Sequence, residues 1–355
     1  MVCGGLGDRV KGITPLLYAA IGSHRLFHLD WEKPVHLSQY FKINDKWYHV
    51  NGSTYDRVRT ISRADNSKRK WEWLVDYNEK DRLLKDLADP NFVKNHSQWN
   101  SYDLTANRLM ALESIFSNPS MTSEMRTIFP GLESRVDKHD LDYFLIGSAG
   151  IRSLLAKPQE KLTNLMDQFL TLNDFNPEIF GDENILKIGV QIRSLRSLWD
   201  ESDQSRVDSS HVTCFSEKVG QLVENYAQKR RVAIFLTGDN ENSTMIFRES
   251  LKNKGNIRIL ETNQYKTELN ISLLHLDRSD VSKDPTEAWN EMAQVYLDWL
   301  MLRRMDFLLI SRSGFGETAS LYSLKPTWRF KHDQINANNR CPFFKYGDPD
   351  ERFDF

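Results

Sequence analysis

The rhythm of apolar and polar residues changes near residue 185. Beyond it, short apolar runs alternate with amphipathic ones. Ile185 to Ile192, Val232 to Leu236, Ile257 to Leu260, Phe307 to Ile310 and Thr327 to Phe330 are bounded by polar or turn residues, as buried strands are. Between them, Cys214 to Gln228, Ser243 to Asn253, Thr286 to Arg304 and Gly316 to Leu324 carry apolar residues at helical spacing, and Asp284-Pro285 supplies a helix start. This alternation predicts a parallel sheet flanked by helices.

The first half is less regular. Gly7 to Ile21 reads as a glycine-rich turn feeding a helix, with Val10, Ile13, Leu16, Leu17 and Ala20 spaced for one buried face. Arg25 to Asp30, Trp47 to Val50 and Trp71 to Val75 read as strands, and Leu104 to Phe116 and Gln159 to Leu172 as helices. Asn173 to Asn184 carries Pro177 and Gly181 among Asn and Asp and reads as a linker. The expected division is residues 1–178, then 185–330, with a tail over 331–355 packing back across the first domain.

A chain of 355 residues has room for two domains, and 40% apolar with 27% charged residues excludes a disordered one. With 47 basic against 49 acidic residues there is no overall pull toward nucleic acid, which is excluded as a partner. No apolar run approaches the ~18 residues of a membrane span, and no signal peptide precedes the first motif. Either an N-terminal anchor and stem have been lost, which places the chain in the Golgi or ER lumen, or it never had one and is cytoplasmic. Membrane association would then come only through a segment absent from this chain. Cys3, Cys214 and Cys341 exclude a disulfide-dense scaffold and a multi-cysteine zinc site; one disulfide can form, its pairing open. Sequons at Asn51, Asn95, Asn242 and Asn270 permit glycosylation of a lumenal chain.

Arg193 follows directly on the Ile185 to Ile192 strand. A guanidinium there can offer two parallel donors to a pyrophosphate, or close a structural ion pair. Ser311-Arg312-Ser313-Gly314-Phe315-Gly316 leads from a strand into a helix, whose first N–H groups make an anion site. Gly4-Gly5-Leu6-Gly7 is not a dinucleotide fingerprint: Val10 stands where the third glycine belongs and no strand precedes it, which disfavours an NAD enzyme. No metalloprotease, nucleophile-elbow or P-loop sequence occurs, and the histidines do not cluster at ligand spacing. Asp200-Glu201 offers a general base or a pair of solvated acids.

Together these segments resemble a family. Gly4-Gly5-Leu6-Gly7-Asp8-Arg9 is similar to the "GLGNR" of plant-type xyloglucan fucosyltransferases, Ile188 to Arg193 to their "GIQIR", and Ser311 to Gly316 to their "SxxSTFG". The wider superfamily holds the α1,6-fucosyltransferases and protein O-fucosyltransferases, which carry H-x-R where this chain has Gln191-Ile192-Arg193. The resemblance implies a GT-B fold: two Rossmann-like domains, the first on the acceptor side with a helical insertion, the second binding the nucleotide sugar. It implies inverting transfer of fucose from GDP-fucose to a glycan or glycoprotein, with no cofactor and no obligatory metal.

Carried over by motif, Arg193 would hold the β-phosphate and help the leaving group depart, with Gln191 in place of the family histidine. Asp298, eight residues before Asp306, matches the aspartate that reads guanine in the α1,6 enzymes. Ser311, Ser313, Gly314 and Phe315 would line the phosphates. Thr237 and Asp239 match an "ATDD"-like strand-end turn, and Gly5, Gly7, Asp8 and Arg9 belong to the donor-side entry motif. Glu201, eight residues after Arg193, has the spacing of a catalytic glutamate in the α1,6 enzymes. Plant-type relatives lack that pattern, and an SN1-like departure driven by the arginine needs no strong base. Two other readings stay open. One is the same fold with another donor, such as a different GDP-sugar or UDP-xylose; the other is a catalytically silent glycan-binding protein.

Overall fold

The computed structural model describes residues 6–22, 37–42, 69–73, 87–92, 101–105, 143–155, 157–194, 207, 211–228, 230–252, 254–271, 284–331, 334–335 and 340–346, with positions 115, 118–120 and 123. The chain divides into two compact units, Met1–Lys157 and Pro158–Asp354.

The N-terminal unit contains α1 (Leu6–Gly22), β1 (Arg69–Trp73), β2 (Ser101–Thr105) and α2 (Tyr143–Leu155). Helix α1 buries Leu6, Val10, Ile13 and Leu17 and packs against α2. Leu16 and Ala20 are only half-buried. β1 and β2 pair in parallel from Arg69↔Ser101 to Trp73↔Thr105. A helix was expected to begin at Leu104; the strand persists there because Tyr102 and Leu104 alternate with polar neighbours, the period of a strand. The strands expected over Arg25 to Asp30 and Trp47 to Val50, and most of the helix to Phe116, lie outside the described residues.

The C-terminal unit opens with α3 (Glu160–Leu172) and continues through β3 (Ile185–Ile192), α4 (Val212–Tyr226), β4 (Arg231–Gly238), α5 (Glu241–Leu251), β5 (Ile257–Leu260), α6 (Pro285–Leu302), β6 (Phe307–Ser311), α7 (Gly314–Ser323), β7 (Thr327–Phe330) and β8 (Phe343–Lys345). Its sheet has the order β8-β7-β6-β3-β4-β5, parallel except for β8. This is the α/β architecture the alternation predicts.

Every residue of β3 is buried, because helices cover both faces of the sheet. Leu186, Ile188, Val190 and Ile192 join Val232, Ile234 and Leu236 in a core closed by Phe215, Val219 and Leu222 of α4 and Phe247 and Leu251 of α5. The opposite face receives α6. A Cβ at Gly189 would stand 2.6 Å from Leu308 of β6, 2.9 Å from Met305 and 3.0 Å from Leu302 at the end of α6, so glycine is what makes room there for these side chains against the central strand. Asp284 caps α6 by accepting from the N–H groups of Thr286 and Glu287, with Pro285 at its first position.

Two expected boundaries shift. The division falls at 157/158 rather than within 173–184, because α3 goes with the C-terminal unit. Its buried stripe of Leu162, Leu165, Met166, Phe169 and Leu170 lies against the sheet, where Phe169 meets Phe235 edge-on at 6.0 Å. The described part of the tail joins the same unit, not the first domain. β8 pairs antiparallel with β7, and Cys341 is disulfide-bonded to Cys214 of α4. Phe343 stacks edge-on upon Phe215 at 5.0 Å. The tail thereby covers an edge strand that would otherwise expose a row of unpaired backbone groups.

Candidate active site

Strands β5-β4-β3-β6-β7 follow the order in which a parallel sheet is wound outward in both directions from its centre. The chain leaves β3 toward α4 on one face and leaves β6 toward α7 on the other. The point where the connections diverge, outside the carboxyl ends of the strands, is where open α/β sheets bind ligands. β3 and β6 are neighbours, with Gln191 opposite Ile310, so Gln191 to Ser194 and Ser311 to Gly316 lie side by side at that point.

The main chain around Arg193 is held from several directions. Ser311 Oγ accepts from the Arg193 N–H at 2.9 Å and donates to the Gln191 carbonyl at 3.2 Å. Asp239 Oδ1, just past β4, accepts from the Ser194 N–H at 2.7 Å. The Arg193 carbonyl accepts from the N–H of Val207 at 2.9 Å. Ser194 and Ser243 pair through their hydroxyls at 2.7 Å. Ser311 and Asp239, expected at the nucleotide, thus also act on protein backbone: they fix the strand end that carries the arginine.

Ser313 begins α7 with an extended backbone, and its hydroxyl makes no capping bond. The first intrahelical donor is the Glu317 N–H, to the Ser313 carbonyl at 3.0 Å. The N–H groups of Gly314, Phe315 and Gly316 have no acceptor within the helix, and the helix dipole adds positive potential there. Gln191 is buried, and its Oε1 has no hydrogen-bond partner. That oxygen reaches the first turn of α7: a Cβ at Gly316 would come within 2.9 Å of it. Glycine at 316 therefore makes room for the Gln191 amide.

Asp298, on α6, is 4% exposed. Its Oδ2 accepts from Thr237 Oγ1 at 2.7 Å and its Oδ1 from Thr262 Oγ1 at 2.6 Å. Burial pushes its carboxyl up to about 7, against the two threonine hydrogen bonds, which favour the ionised form. Neighbouring Glu261 is also raised by burial, opposed by the Arg248 guanidinium at 3.4 Å.

The structure therefore brings together Gln191, Arg193, Ser311, Ser313, Gly314 and Phe315 at the strand ends, with Thr237 and Asp298 joined beside β4. Gly7, Asp8 and Arg9 lie in the first turn of α1 in the N-terminal unit, where the helix starts at Leu6 rather than after a turn through Gly7. Gly5 and Glu201 lie outside the described residues. Sequence reasoning missed Thr262 and Gln294, which join the Asp298 cluster. A signal was present: Gln294 precedes Asp298 by one helical turn, and the two interrupt an otherwise apolar and aromatic stretch from Met292 to Leu302.

By sequence, no protein-family model and no curated protein matches the chain. Among solved structures, it is similar to Arabidopsis thaliana FUT1, a mutant form in complex with GDP. The TM-score is 0.60 at 13% identity, covering 96% of this chain and 71% of that one. It overlaps NodZ α-1,6-fucosyltransferase soaked with GDP-fucose at a TM-score of 0.49 and 11% identity, covering 96% of each chain. POFUT1 in complex with GDP gives 0.49 and 12%, over 93% of this chain and 96% of that one. The likeness to FUT1 shows that the chain shares the α/β fold of that protein.

Proposed function

We propose that the protein is an inverting glycosyltransferase that moves fucose from GDP-fucose to a hydroxyl of a glycan or glycoprotein, with no obligatory metal. The observation that carries this reading is the pairing at the divergence point of the sheet. An arginine with a fixed main chain directly follows β3, and a helix N-terminus with no side-chain cap follows β6. These are two sources of positive potential for one diphosphate. The fold similarity to a GDP-bound fucosyltransferase supports the choice of nucleotide.

In this mechanism the bond between the sugar anomeric carbon and the β-phosphate oxygen breaks first. Its electron pair stays with GDP, where Arg193 and the N–H groups of Gly314 and Phe315 stabilise the growing charge. The acceptor hydroxyl oxygen then bonds to the anomeric carbon from the opposite face and releases its proton. Glu201 takes that proton in a base-assisted course, and solvent water takes it in the SN1-like one. Asp298 accepts from the adjacent N–H donors of guanine, leaving one acceptor position on each oxygen for its threonine.

The test compares GDP and UDP by thermal stabilisation and calorimetry, then follows hydrolysis of GDP-fucose against other nucleotide sugars. GDP is expected to stabilise the protein and UDP not, with or without chelator, and GDP-fucose to be turned over fastest. Equal stabilisation by the two nucleotides removes the guanine reading. Binding of GDP without turnover of any donor favours a silent glycan-binding protein.

A further inference from the structure

We propose that Thr262 and Gln294 are positioning residues that set nucleobase selectivity by fixing the acceptor edge of Asp298. The inference rests on the guanine-reading role given to Asp298 above. Gln294 stands four residues before Asp298 on α6, so both project from one face of the helix. Its Nε2 donates to Asn263 Oδ1 at 2.6 Å and to Thr262 Oγ1 at 3.2 Å. A hydroxyl has a single proton to give. With the Gln294 amide on one lone pair of Thr262, that proton is directed to Asp298 Oδ1 at 2.6 Å.

Thr237 grips the other carboxylate oxygen from the end of β4. The terminal torsion of an aspartate is broad and two-fold in isolation. Held at both oxygens, by Thr237 near the end of β4 and by Thr262 in the turn after β5, this one has a single orientation. Gln294 and Thr262 are each only 1% exposed, and a purely packing role there would be met by an apolar side chain without the cost of burying polar groups. The Gln294 carbonyl is buried with no hydrogen-bond partner, so the cluster is rich in acceptors. Acceptors held side by side match a base edge with adjacent N–H donors and mismatch one where carbonyls flank a single N–H.

The experiment measures affinities for GDP, UDP and inosine diphosphate, which lacks the 2-amino group, on the full chain. Wild type is compared with Thr262→Val, Thr262→Ser and Gln294→Met, each checked for folding by circular dichroism. Wild type is expected to prefer GDP to inosine diphosphate. Thr262→Val should lower GDP affinity about tenfold and flatten that preference, as for loss of one buried hydrogen bond. Thr262→Ser should restore it, and Gln294→Met should shift it in the same direction as Val. A wild type that does not distinguish GDP from UDP overturns the guanine reading and this inference with it. A wild type that selects GDP, with an unchanged GDP to inosine diphosphate ratio in Thr262→Val, overturns this inference alone. Should the valine variant not fold, an unchanged ratio in Gln294→Met does the same.

Discussion

At the scale of single residues, Arg193 carries the heaviest demand. Departure of GDP concentrates charge on the β-phosphate, so a preorganised guanidinium is worth more in the transition state than in the ground state. Arg193→Ala should therefore lower kcat by roughly 10²–10³ with the fold unchanged. Arg193→Lys should not rescue it, since an ammonium cannot make two parallel contacts. Single-turnover transfer rates check this, and near-wild-type transfer by Arg193→Ala would sink the mechanism. Asp298 gives a separate handle through pH. Its folded value of about 7 lies above the ordinary carboxylate range, so the folded state binds the proton more tightly than the unfolded state. The contribution is complete in acid, below the unfolded value, and is lost as pH rises from about 4 to about 7. The melting temperature of wild type relative to Asp298→Asn should fall across that window and level off above it. A gap that is flat with pH would mean that the group is ionised throughout. Affinity for GDP should move the opposite way, rising toward pH 8 as the acceptor carboxylate forms.

At the scale of elements, legibility followed burial. Strands β3, β4 and β6 are covered on both faces and so appear as near-continuous apolar runs, which the sequence displays openly. β8 has three residues at a sheet edge, where pairing rather than composition makes the strand. The allegiance of α3 was equally hidden: its apolar stripe is plain in the sequence, but nothing local says which sheet it meets. Arg193 and the α7 turn were legible because strand ends and glycine turns leave a mark. The second partners of Ser311 and Asp239 were not, since hydrogen bonds across 118 and 45 residues leave no local trace. Asp298 came from resemblance, although one acid amid Tyr296, Leu297, Trp299 and Leu300 is itself a sign of a buried polar contact. The α3 assignment can be tested by truncation. A fragment starting at residue 158 should unfold cooperatively, whereas one starting at 173 exposes the face around Phe235 and should aggregate or melt without a sharp transition. Equal cooperativity of the two fragments would return α3 to the first domain.

At the scale of the whole molecule, the described residues contain no helix long and apolar enough to cross a membrane. The N-terminal unit contributes α1 and a parallel strand pair, while the C-terminal unit holds the six-stranded sheet with its divergence point between β3 and β6. The disulfide between Cys214 and Cys341 spans 127 residues of sequence and ties the beginning of that winding to its end. Strands β4 to β7, with α5, α6 and α7, all lie between the two cysteines. In covalent terms the oxidised unit is a ring with two tails. A ring tolerates one cut: a protease that nicks the backbone anywhere between the cysteines yields two pieces that still travel together. Nicked protein should run as one band without reductant and as two with it, and should keep its GDP response until the thiols are freed. Two bands before reduction would mean that the ring had never closed, as expected of chains made where thiols are kept reduced.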